Sequence, residues 1–178
     1  MKRSLRCWLV LLVVAVHPAA ADPVADGIEA CKRKEYDKGF TLLEPLAQSG
    51  SARAQLWVGQ MYYYGQGVKE DDEAAFTWFS RAAAQGNAEA QLQLANMYTY
   101  RRGLPASEDD PDVKAARWYF AAARQGHPEA QYSLALMFAV GKGVQQNDAE
   151  ARRWMRRAAT HGHPDAKAFL AAYTTKKK

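Results

Sequence analysis

The sequence has little cysteine, no second long apolar run and none of the short patterns that mark common catalytic centres. Cysteine occurs twice in 178 residues, at Cys7 and Cys31. Cys7 lies in the apolar stretch near the N-terminus, so a chain that has lost that stretch keeps Cys31 alone. One cysteine cannot close an internal disulfide, which excludes a disulfide-stapled scaffold, and Cys31 is expected to be a small buried apolar residue. H-E-x-x-H, C-x-x-C, G-x-S-x-G and G-x-x-x-x-G-K-[ST] are all missing. The sequence therefore gives no sign of zincin, dithiol, hydrolase-elbow or P-loop chemistry, and no catalytic residue, cofactor or metal is expected. Beyond residue 21 no apolar run approaches the ~18 residues that a membrane span needs.

The apolar run that does exist has the layout of an export signal. Lys2, Arg3 and Arg6 precede an apolar run from Cys7 to Val16, and Ala19 and Ala21 supply an A-x-A site before Asp22. Residues 1–21 are expected to be removed as a signal peptide, leaving no stable membrane anchor. This leader holds three of the 24 basic residues and none of the 19 acidic ones. Lys176, Lys177 and Lys178 account for three more. The pI of 9.2 thus reflects the ends of the chain, and no nucleic-acid partner is expected.

Between these ends the chain repeats. Trp78, Trp118 and Trp154 are 40 and 36 residues apart, and Ala-Gln recurs at 54–55, 90–91 and 130–131. Gly50, Gly86, Gly126 and Gly162 keep the same register. The units are 51–86, 87–126 and 127–162, with four residues inserted in the second, between Leu104 and Lys114. A capping half repeat at 22–50 precedes them, and a capping helix at 163–173 and a basic tail at 174–178 follow. Each unit reads as two amphipathic helices. Ala54, Val58, Met61 and Tyr62 form one apolar stripe; Ala75, Trp78, Phe79, Ala82 and Ala83 form the other. Trp78, Trp118, Trp154, Tyr62, Tyr98 and Phe138 are expected to be the large members of the core. Asp71 or Asp72, Asp110 before Pro111, and Asn147 or Asp148 supply N-caps, and the register glycines stop the second helices. A lone helix pair cannot bury both stripes, so the units must stack as a solenoid.

Two glycine pairs, Gly65-x-Gly67 and Gly141-x-Gly143, could suggest a phosphate loop, but such a loop follows a strand, and here a helix precedes each pair. The pairs are expected to be hinges between the helices of a unit. His161, His163 and Asp165 could form a metal site, yet they occupy repeat positions filled elsewhere by Gln85, Gln125, Asn87 and His127, which favours capping. Glu89, Glu129 and Asp165 share one position in a first helical turn, where acidic residues suit the dipole.

The pattern A-Q-x-x-[LV]-[GA]-x-M-[YF], then G-x-G-[VL], then A-x-x-W-[YFM]-x-x-A-A-x-x-G resembles the Sel1-like repeat family, relatives of the tetratricopeptide repeat. The resemblance covers about residues 35 to 173. It implies an all-α fold, a right-handed α/α superhelical solenoid whose first helices line a concave surface. It also implies an adaptor or regulator in the bacterial envelope, periplasmic or secreted, that binds another envelope or secreted protein or peptide. On that alignment the partner-binding positions are Arg53, Leu56, Gln60, Tyr63 and Tyr64 in the first unit. They are Glu89, Leu92, Asn96, Thr99 and Tyr100 in the second, and Glu129, Tyr132, Leu136, Ala139 and Val140 in the third. Tyr63, Tyr64 and Tyr100 stand out, because the core stripe already uses Tyr62 and Tyr98. Cysteine-rich relatives are linked with penicillin binding and hydrolysis, which gives an alternative of cell-wall or β-lactam binding or hydrolysis. The regularly paired cysteines of those relatives are missing here.

Overall fold

The computed structural model describes residues 22–106 and 109–175; the expected leader at 1–21 and the end of the tail at 176–178 lie outside them. The described residues form helices and no strand: α1 (Pro23–Lys32), α2 (Tyr36–Gln48), α3 (Ala52–Tyr64), α4 (Asp72–Ala84), α5 (Ala88–Tyr100), α6 (Pro111–Arg124), α7 (Pro128–Val140), α8 (Asp148–Thr160) and α9 (Pro164–Thr175). Each helix packs against its neighbours in sequence. The odd-numbered helices make one layer and the even-numbered ones the other, an all-α superhelical solenoid.

The helix ends follow from local chemistry. Ser51, Asn87 and His127 accept a backbone N–H from the residue three places on, as N-caps of α3, α5 and α7. Asp71, Asp110 and Asn147 do the same for α4, α6 and α8. α9 runs to Thr175, two residues beyond the expected capping helix.

The G-x-G pairs are hinges, and they also form the contact between units. Gly65 and Gly141 end α3 and α7 in the left-handed region, at φ 64° and 73°. The second glycine is more constrained. A Cβ on Gly67, Gly103 or Gly143 would collide with the backbone of Tyr36, Asp72 or Asp112, at the start of the second helix of the preceding unit. The loop of each unit therefore rests on the N-terminus of the helix before it, and only glycine permits that approach.

The Ala-Gln dipeptide has a similar role. Gln55, Gln91 and Gln131 are buried. Their side-chain amides donate to the carbonyls of Ala47, Ala83 and Ala123, near the end of the preceding second helix, at 3.0, 3.2 and 2.9 Å. Each Oε1 accepts from the residue that ends its own unit's second helix: Gln85 at 2.7 Å, Gln125 at 2.9 Å and His161 at 2.8 Å. Both amide functions are satisfied, so the ladder fixes the rotation of unit on unit without an orphaned polar group. Lys167 stands at the equivalent place in α9, exposed, and the ladder ends at Gln131.

The core differs from the expected one. Trp154 and Tyr98 are buried, but Trp78, Trp118, Tyr62 and Phe138 are only half-buried. The deepest large side chain of the first unit is Phe79, and Tyr119 and Met155 occupy its place in the others. The reason is steric. Phe79, the residue after Trp78, points at Gly59 on the partner helix, where a Cβ would touch its ring at 2.7 Å, and the repeat places the small residues Ala95 and Ala135 at the same position in the other units. Trp154 meets Phe120 of the preceding second helix edge-on at 5.8 Å, and Trp78 and Trp118 stay partly buried beside the core. Cys31 is buried, its thiol 3.9 Å from the Met61 sulfur, and burial raises its pKa.

Candidate functional site

The first-helix layer carries every residue of the expected partner-binding set, and the structure divides the set into tied and free members. The tied ones form a seam across the N-terminal ends of the odd helices. Arg53 pairs with Asp22, the N-cap of α1, at 2.7 Å. Glu89 receives His127 Nε2 at 3.0 Å and Gln93 Nε2 at 2.7 Å; Glu129 receives His163 Nε2 at 2.9 Å. Nδ1 of each histidine accepts a backbone N–H, from Ala130 or Ala166, so Nε2 carries the proton that each donates. Tyr132 lies flat on the His163 ring, centroids 4.2 Å apart. His163 is thus cap and clamp, and among the described residues no group of three His, Cys, Asp or Glu could hold a metal ion. The bond from His127 lowers the Glu89 pKa against the opposing effect of its burial.

Other members are half-buried. Leu56 and Gln60 partly face the interior, and Leu92 is fully buried. Tyr63 lies beneath the Arg102 guanidinium, 4.2 Å from ring to carbon, and Tyr64 meets it edge-on. Arg102 in turn grips Asp72 through two bonds of 2.9 and 2.7 Å and Glu70 through one of 3.0 Å. Asn96 and Thr99 surround the buried Tyr119 hydroxyl, which donates to Asn96 Oδ1 at 2.7 Å with Thr99 Oγ1 3.2 Å away. Burial raises the pKa of this phenol.

What remains exposed is apolar. Tyr64, Tyr100 and Val140 share the last position of the first helix, at 59 %, 70 % and 71 % exposure, and Leu136 is 44 % exposed. Tyr100, Leu136 and Val140 flank a cavity of about 350 Å³ between α5 and α7, with Tyr119 and Met137 also lining it. Lys142 lines the same cavity. Lys142 and Arg101 share a single carboxylate, Asp112, at 3.5 and 3.4 Å, so this edge of the groove carries excess positive charge. Such a groove accommodates one or two bulky apolar side chains and presents hydroxyls beneath them. Tyr119 is the residue of the candidate site that the sequence conceals, because it belongs to the other layer. Its available signal is a phenol where the neighbouring units place Phe79 and Met155.

Stacked helical hairpins tied by a glutamine ladder and by glycine contacts define a helical-repeat scaffold of the tetratricopeptide type. The family model of the Sel1 repeat matches residues 52–87, 88–127 and 128–163, and the chain belongs to the Sel1 repeat family. Members of this family generally mediate protein–protein interaction. A Sel1 repeat protein of Oxalobacter formigenes is 36 % identical over 86 % of this chain, with a TM-score of 0.78. The protective antigen c5321 of uropathogenic Escherichia coli is 28 % identical over 81 %, with a TM-score of 0.72. This chain spans 59 % and 32 % of the lengths of those two. Cysteine-rich protein B of Helicobacter pylori, 16 % identical over 85 % of this chain and 99 % of its own length, with a TM-score of 0.54, shares the fold. No curated protein matches.

Proposed function

We propose that this chain is an exported, non-enzymatic adaptor of the bacterial envelope that holds an apolar segment of another protein in the groove between α5 and α7. The observation that carries this reading is the position of the exposed large apolar residues. Tyr64, Tyr100, Leu136 and Val140 all lie on the first-helix layer, and three of them flank one cavity. Exposed apolar side chains in such a group cost solubility and gain from being covered by a partner. The export signal expected from the sequence of residues 1–21 would direct the chain to an envelope or secreted partner, and a mature chain beginning at Asp22 would start at the N-cap of α1. No membrane-crossing helix is present among the described residues.

Photo-crosslinking tests the groove. A benzophenone amino acid at Leu136 should capture a partner in the native host, and the same probe at Thr77 on α4 should not. The Y100A/V140A variant carrying the Leu136 probe should lose at least tenfold of that product, as expected where about 1–2 kcal/mol rests on each anchor. Equal capture from Thr77, or a product that survives the double substitution, would defeat the groove. Peptide mapping of the exported protein checks its first residue, expected to be Asp22.

A further inference from the structure

The outer face of α8 is the second surface of this molecule that calls for a partner. In the first unit, Phe76 reaches forward to Tyr98 of the next unit, edge-on at 5.4 Å. In the second unit, Phe120 reaches forward to Trp154, edge-on at 5.8 Å. The repeat register puts Arg152 and Arg156 of α8 at these two places. Arg153 and Arg157 follow them, and all four are exposed. Arg153 bonds Glu150 at 3.1 Å and Arg157 lies over the Trp154 ring at 4.7 Å. Among the described residues, the side chains of Arg152 and Arg156 make no hydrogen bond or ion pair.

A terminal repeat needs a polar outer face to stay soluble, and a mixture of charges meets that need. Here the face is strongly basic, with Glu150 as the one acidic partner among the described ion pairs of α8. Arg152 with Arg156, and Arg153 with Arg157, are like charges four apart on a helix, an arrangement that costs stability. The acidic residues of α8, Asp148 and Glu150, stand in its first turn, and Glu150 meets Arg153 alone of the four arginines. On α6, Arg117 and Arg124 are exposed as well, with Arg124 6.0 Å from the half-exposed Phe120 ring. None of these arginines except Arg117 borders a described cavity, so the α8 surface is open.

We infer that the α8 arginine face, extended by Arg117, Arg124 and Phe120, docks reversibly on an anionic phospholipid bilayer, where guanidinium groups meet headgroup phosphates. An open surface of exposed arginines, two of them without a side-chain partner, beside an exposed aromatic ring matches a headgroup layer, which offers many phosphates in a plane and an apolar boundary beneath. The face lies in the second-helix layer, so the inference is independent of the groove between α5 and α7.

Vesicle flotation of the full chain tests it. The readout is the salt-sensitive excess of binding to vesicles with about one third phosphatidylglycerol over vesicles of phosphatidylcholine alone. The R152Q/R156Q variant alters two side chains without partners and should melt at or slightly above the temperature of the parent protein. It should lose roughly fivefold in partitioning per arginine, about 25-fold in all. No excess on anionic vesicles, or an excess that R152Q/R156Q retains in full, would overturn the inference. So would capture by immobilised polyglutamate without any vesicle binding, which would assign the face to an acidic protein.

Discussion

Gly143→Ala separates the two roles that the loop glycines could play. If Gly143 supplied only a left-handed turn, alanine would cost the price of that backbone conformation, about 1–2 kcal/mol. The structure requires more. The Cβ would fall on the carbonyl of Asp112 and on Val113 N, the first turn of α6, which cannot yield because its backbone is committed to the helix. The loop from Gly141 to Gln146 must therefore lift away, with an added cost of about 1–3 kcal/mol for the packing it loses. Gly162→Ala is the control. Its φ is 100°, and nothing stands within 4 Å of the added Cβ, so it carries the backbone cost alone. Urea unfolding should place Gly143→Ala below Gly162→Ala by about 1–3 kcal/mol, or roughly 3–10 °C in Tm. Hydrogen exchange should show the loss concentrated in α7 and α8. Equal destabilisation by the two variants would refute the inter-unit role and reduce Gly143 to a turn residue.

Four further outcomes follow from the ladder, the clamp and the strained turn. Gln131→Leu removes one buried and one partly buried hydrogen bond and should cost about 1–2 kcal/mol by urea unfolding. Gln131→Glu should cost more at pH 8, because a carboxylate would face the Ala123 carbonyl. Burial would raise its folded pKa, so that penalty should shrink as the pH falls toward the unfolded value near about 4.3. Glu89→Gln should remove part of the acid sensitivity of folding. The lowered pKa of Glu89 contributes stability above the unfolded carboxylate pKa, and this is lost as pH falls through the folded one. With the carboxylate 40 % exposed, the difference from the parent at pH 7 should stay under about 1 kcal/mol and vanish at the acid end of a pH series of melts. Arg101→Gly should raise stability by about 0.5–1 kcal/mol, since Arg101 ends α5 at φ 55° and its exposed pair with Asp112 returns little; a lower Tm would contradict this.

The repeat was readable because each of its marks does a job that recurs with every unit. Gln55, Gln91 and Gln131 are legible as a ladder once their spacing matches the helix ends that they bond. The N-caps are legible because each must satisfy the same free N–H groups. Burial within a helix was less legible. Trp78 and Phe79 are adjacent and both apolar, and only the small residue on the facing helix decides which enters the core. The site was legible as a layer and not as a groove. The same alignment that groups Tyr63 with Tyr100 could not show that Arg102 covers one and leaves the other free. Nor could it show that the second layer contributes Tyr119, because a contact between helices is not a period within one.

The departures from the repeat gather in the middle unit, and they adjoin the groove. Arg101 takes the place of a glycine and holds a left-handed backbone at a cost. Arg102 spends its guanidinium on Asp72, Glu70 and Tyr63 of the unit before. Tyr119 places a hydroxyl where its counterparts are apolar, and Asn96 and Thr99 are present to satisfy it. A chain under pressure only to stack would keep glycine at 101 and an apolar residue at 119, as its own outer units do. Sequences break their local rules where function outweighs stability. The proposed groove between α5 and α7 is where these departures meet, with a strained turn beside it, a phenol beneath it and two cations on a single carboxylate at its edge.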